Sequence, residues 1–147
     1  MYTPHTVTLI NVIEGDDYAM QYNITVLHGV MLQASKRANV NKSGLLDADA
    51  VTLYIPFTVN ATGPAGGEKR FVGPKAFEAL GGSRDIWTLR GGSKSSAVGC
   101  FFIKGEISDG LSYAEALKTY DDVYRVTTVD TMDYGSASMH HWEVGGI

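Results

Sequence analysis

Residues 124–147 read YRVTTVDTMDYGSASMHHWEVGGI, and their pattern decides how the rest of the chain is read. Two alternating runs flank a turn-like centre, Asp133-Tyr134-Gly135-Ser136, and the second run ends on Gly145-Gly146-Ile147. Side chains on a strand alternate between faces, so each run predicts a half-buried strand and the pair predicts an antiparallel hairpin. Its C-terminal residues are expected to be built into the fold. Val126, Val129 and one face of the last strand should point inward, leaving the other face free.

The same period of two recurs upstream. Val7, Leu9, Asn11 and Ile13 alternate with Thr6, Thr8, Ile10 and Val12, in a run heavy with β-branched residues. After the polar turn Glu14-Gly15-Asp16-Asp17, alternation resumes at Tyr18, Met20, Tyr22, Ile24 and Val26, as a hairpin partner would. His28-Gly29 interrupts this second strand; a glycine there predicts a bulge that re-aims a long strand around a small barrel. Val51, Leu53, Ile55 and Phe57 give a third strand, which Pro56 should end or confine to an edge, because proline has no amide to donate.

Between these strands, residues 33–49 are polar without a helical period and read as a loop. NATGPAGGE, residues 60–68, is the richest in breakers and is expected to be exposed and mobile around Gly63, Pro64, Ala65, Gly66 and Gly67. Pro74 opens PKAFEALGG, a short helix with proline in its first turn and glycines past its end. Residues 70–72 and 85–90 read as extended, and Val98 to Ile107 as the most apolar strand. Ser112 and Glu115 fit a capping box at the start of a second short helix. These elements predict one mainly β domain spanning the chain: a small, partly open barrel or sandwich of about seven strands with one or two short helices.

Composition narrows the function classes. The chain has 147 residues, is 44% hydrophobic and 19% charged, and carries a formal net charge of -4. These are globular values, and the scattered basic residues form no stripe that would suit nucleic acid. Phe71, preceded by Lys69 and Arg70, is the one weak match to an aromatic-basic platform. No apolar run reaches membrane-spanning length and the N-terminus lacks a signal-like pattern, so no membrane partner is expected. The Asn-x-Ser/Thr triplets at Asn23, Asn41 and Asn60 read as by-products of a Thr-rich composition.

The chemistry-bearing residues form no recognisable site. His140 and His141 are adjacent on a strand and so face opposite ways, which disfavours a shared metal; no cofactor is expected. GGSKSS at residues 91–96 lacks the glycine that a phosphate loop needs before its lysine. Asp47 and Asp49 are paired carboxylates in a polar loop with no second group to make them catalytic. Cys100, the single cysteine, lies in an apolar run and reads as buried and inert. An enzyme is not expected.

The stretches PHTVTLINV, YNITVLHGVML, KSGLLDADAVTLYIPF, RFVGPKAF, FFIKGEI and VTTVDTMDYGSASMHHWEVGG, taken in order, resemble small virion proteins of long-tailed bacteriophages. These are minor capsid or head–tail connector proteins, encoded beside the head genes. The resemblance implies a stopper-type head-completion subunit: a compact β-barrel repeated as a ring in the virion neck, after a stay in the host cytoplasm. Its implied partners are further copies of itself, the portal or adaptor above and the tail below, with double-stranded DNA passing without sequence-specific contact. A capsid decoration, other minor capsid or tail role is the alternative, and a small-molecule-binding barrel a lesser one. The match extends to the loop Lys42, Ser43, Gly44 and to His140, His141, Trp142 and Glu143, which are the implied subunit-interface candidates. The glycine-rich insert at Gly63 to Gly67 has no counterpart in it.

Overall fold

In the computed structural model, residues 2–14, 19–34, 51–91 and 100–147 are described. The turn around Asp16, the loop holding Lys42, Ser43, Gly44, Asp47 and Asp49, and the Lys94 loop with Val98 and Gly99 lie outside these residues.

The chain is mainly β. Strands β1 (His5–Glu14), β2 (Met20–Ala34), β3 (Val51–Pro56) and β4 (Asn60–Thr62) come first. Next come β5 (Arg70–Phe71), helix α1 (Pro74–Ala79), β6 (Ile86–Trp87) and β7 (Cys100–Lys104), then α2 (Tyr113–Thr119), β8 (Val123–Met132) and β9 (His141–Gly146). The large sheet has the order β1-β7-β8-β9-β3-β2-β4, and β1 also pairs with β2. Six strands therefore close into a barrel, with β4 as an additional strand on β2. Closure removes the free edges that an open barrel or sandwich would present.

The bend that permits closure lies where the glycine was expected to place it. Thr6 pairs with His28, but His5 pairs with Val30, so Gly29 is left out of the ladder. Its φ of 87° is one that other residues rarely adopt. Past this bulge β2 leaves β1 and pairs with β3, from Met31↔Tyr54 to Ala34↔Val51. β3 stops at Pro56, and β4 resumes alongside β2 from His28↔Asn60 to Val26↔Thr62.

Strand β9 lies between β8 and β3, paired along both edges, and so joins the two halves of the wall. Beyond it, Ile147 exchanges backbone hydrogen bonds with Arg125 at 3.1 and 2.9 Å, which ties the chain's last residue to β8. Trp142, Val144 and Gly146 face inward. A side chain at Gly146 would press on Phe102 and on the Arg125 carbonyl, so the glycine makes room for a large core residue. Val126 is fully buried, and Val129, partly buried, packs against the core.

The barrel interior holds Val7, Leu9, Leu27, Leu53, Ile55, Phe102 and Val144, and also Trp87 and Leu89. Those last two come from a segment outside the wall. Residues 82–90 cross the barrel end at which β1, β3 and β8 finish, and Ile86, Trp87, Thr88 and Leu89 are buried one after another. Residues 85–90 read as extended in the sequence; of them only Ile86–Trp87 forms a strand, in a two-residue parallel pairing with β5. The rest is held by side chains instead of a ladder. We call this segment the plug.

A second core lies outside the wall. Ile10, Val12, Ile24, Phe101, Ile103 and Val123 pack under Ala116 of α2 and Ile107. Ser112 caps α2 in a complete capping box with Glu115. The preceding strand β7 ends at Lys104, short of the expected Ile107, because Gly105 turns away at φ 106°. Thr8 fixes this turn, donating to the Gly105 carbonyl at 2.8 Å and accepting from the Ile107 amide at 2.9 Å.

Candidate functional site

The barrel end closed by the plug carries the most chemically distinctive residues. Asn11 and Asn23, paired across β1 and β2, both point into the barrel. The Asn11 amide donates to the Thr88 carbonyl at 2.9 Å, and its oxygen accepts from the Thr88 amide at 3.3 Å. These two bonds give an irregular backbone the partners that a neighbouring strand would otherwise supply. The Asn23 amide donates to the carbonyls of Ser83 and Ile86 at 3.0 and 3.1 Å.

Lys69 completes this network. Its ammonium donates to the Asn23 side-chain oxygen and, at 2.9 Å, to the Ile24 carbonyl. Burial draws its pKa down from 10.5 to about 8, while the Asp85 carboxylate pulls it back up. Asp85 is itself held below its ordinary value, first by the Ser83 hydroxyl bonded to it and further by Arg70 and Lys69. Lys69 is thus committed to the fold. The aromatic-basic platform suggested around Phe71 does not form, because one of its two cations is buried and bonded elsewhere.

Above the plug lies an open groove of about 630 Å³. Trp142, Phe57 and Phe71 line it, with Leu89, Val129 and Pro74. Trp142 lies 4.4 Å from Phe57 and 4.3 Å from Phe71, centroid to centroid, and Trp87 meets it edge-on at 5.7 Å. Such tilted and edge-to-face arrangements suit the ring quadrupoles. Among the described residues lining the groove, Arg90 is the one charged side chain, and it is ion-paired with Glu78.

The residues singled out at the end of the sequence fall on two faces. His140 packs on Phe57 at 5.6 Å on the groove side. His141 lies on the outer face, 6.0 Å from Tyr54, and meets the Glu143 carboxylate at 3.1 Å and the Met139 carbonyl at 2.7 Å. The two histidines therefore do not converge, and among the described residues no three metal-ligating side chains come together. Trp142 is almost wholly buried, so a partner could reach it only through the groove.

The loop from Gly63 to Gly67 is exposed and compact. Its ends are tied by the Gly63 amide to the Gly67 carbonyl at 2.7 Å and by the Gly66 amide to the Gly63 carbonyl at 2.9 Å. The buried thiol of Cys100 is pushed up to about 11, chiefly by desolvation, and it bonds to the backbone of Arg90. That makes it a structural residue that anchors the end of the plug. Sequence reading missed Asn11, Asn23 and Lys69 as a group. Asn11 follows Val7 and Leu9 on the inward face of its strand, and Asn23 sits opposite it; that was the available signal.

A family described as "Family of unknown function (DUF6751)" matches residues 2–147. The chain belongs to that family. No curated protein and no solved structure matches it. Membership of DUF6751 covers the wall, the plug and the closing hairpin together. Among the described residues of this DUF6751 chain, no helix is long and apolar enough to cross a membrane.

Proposed function

We propose that the chain is a structural protein of the phage neck: a head–tail connector or stopper subunit, repeated as a ring between portal or adaptor and tail. In this reading it has no catalytic role, helps retain packaged DNA, and moves from the host cytoplasm into the virion neck. The resemblance supplies the identity. The observation that best supports it is the filled barrel, whose interior is occupied by its own Trp87 and Leu89. A barrel packed in this way offers its ends and outer wall to neighbours and leaves little room for a ligand inside. Because the wall is closed, subunit contacts would be made by side chains and loops instead of strand addition. The net charge of -4 suits a conduit past which DNA slides, since each phosphate neutralised would strengthen non-specific binding.

Quantitative mass spectrometry of purified particles tests this directly. A neck ring, as a closed cyclic assembly present once per particle, predicts about a dozen copies or fewer. Hundreds of copies would make it a decoration protein, and absence from particles would end the virion reading. Particles produced without the gene should be tailless or leak DNA.

A further inference from the structure

The described residues include few large apolar side chains that stand in solvent, and two of them share one turn. Tyr134 is 72% exposed and Met139 is 50% exposed, both in the connection between β8 and β9. This tip is not slack. A short 3₁₀ turn spans Ala137–Met139, Gly135 adopts φ 84°, and the His140 carbonyl accepts from the Phe57 amide at 3.1 Å. The Tyr134 hydroxyl reaches the Met132 sulfur at 3.0 Å. An exposed tyrosine at the end of a braced hairpin resembles the anchor residues that dominate protein interfaces.

The tip projects from the same barrel end that holds the aromatic groove, yet its own tyrosine stands outside that groove. We propose that Tyr134 of one copy inserts into the Phe57–Phe71–Trp142 groove of the next. Each surface sets a charge of opposite sign beside its aromatic part. Asp133 precedes the tyrosine, and Arg90, the groove's one charged lining residue among those described, can take a second carboxylate beside Glu78 because its fork has five donors. Tip and groove are different patches of one chain, so the contact is heterologous, and a heterologous contact builds a ring when its rotation closes and a filament when it does not. The inference rests on the neck reading and names the contact by which its ring would form.

Sedimentation of the purified full chain provides the test. The wild type should self-associate in a concentration-dependent way, and Tyr134→Ser should weaken association by roughly tenfold or more, as loss of an interface anchor does. Thr131→Glu, an exposed groove residue opposite Trp142, should do the same. If Thr131→Glu fails to fold, Pro74→Glu charges the facing wall at a first helical turn, where an acid is tolerated. Mixing a tip variant with a groove variant should restore one intact contact and give a dimer that grows no further. A wild type that stays monomeric, variants that associate normally, or a mixture that fails to pair would each overturn the contact. If the chain is still found in particles at ring copy number, the neck reading survives and only this contact falls.

Discussion

Strand β9 buries Trp142, Val144 and Gly146 and turns His141 and Glu143 outward, whereas the plug buries Ile86, Trp87, Thr88 and Leu89 in succession. The wall is held by ladders in which every second side chain meets the core. The plug's central residues Ile86 to Leu89 are buried without a break, so their backbone polar groups need partners that a two-residue strand pairing cannot supply. Asn11 and Asn23 supply them, and Lys69 bonds the Asn23 side-chain oxygen from behind. The comparison teaches that this barrel is stabilised by alternation in its wall and by polar side chains in its interior. Interior asparagines here are the fasteners that make a solid barrel out of a hollow one.

Removing the largest plug side chain should have the largest effect. Trp87→Ala should cost about 3–5 kcal/mol in denaturant unfolding, the range for truncating a buried large aromatic. A loss below about 1 kcal/mol would mean that the plug contributes little to the core.

The fasteners come next. Asn23→Leu keeps the heavy-atom count but strips Lys69 of one acceptor, leaves the Ile86 carbonyl without the Asn23 donor and leaves the Ser83 carbonyl with the Ile86 amide at 3.3 Å; about 3 kcal/mol should be lost. The same network predicts a pH signature. Lys69 titrates near 8 in the folded chain against 10.5 ordinarily, so the unfolded chain binds more protons between those values. Its contribution to stability should rise with pH from about 8 to 10.5, and be at its least favourable below 8. Lys69→Met should flatten that part of the stability profile; an unchanged slope would show that Lys69 is not the group responsible.

The smallest effect should come from outside the wall and the plug. Ser112→Ala removes the cap of α2 and should cost about 1 kcal/mol, with the barrel otherwise unchanged. If it proved as damaging as Asn23→Leu, the outer core under α2 would be more central than the wall and plug.

Much of the wall was legible because alternation is a physical consequence of facing a core on one side. The hairpin of β8 and β9, the Gly29 bulge, the stop at Pro56 and the capping box at Ser112 each rest on local rules of that kind. The plug was not legible in the same way. Four residues buried in succession show no period, and DIWTLR at residues 85–90 could be read only as generically extended. Lys69 looked like a surface cation beside Phe71, and only long-range packing turned it inward. The groove was equally hidden, because Phe57, Phe71 and Trp142 come from three separate parts of the chain. What the sequence did offer toward it was the family-like ending around Trp142, whose ring lines that groove.

The central claim is that the barrel is solid, which the proposed role for its ends and outer surface requires. Hydrogen exchange at the Thr88 amide, bonded to the Asn11 side chain at the heart of the plug, tests this most directly. The amide should exchange about as slowly as the core amides of β9, because both open only when the molecule unfolds globally. Exchange orders of magnitude faster, with β9 still protected, would show the plug leaving an intact wall; the interior would then be an openable cavity, and a ligand-binding barrel the better account.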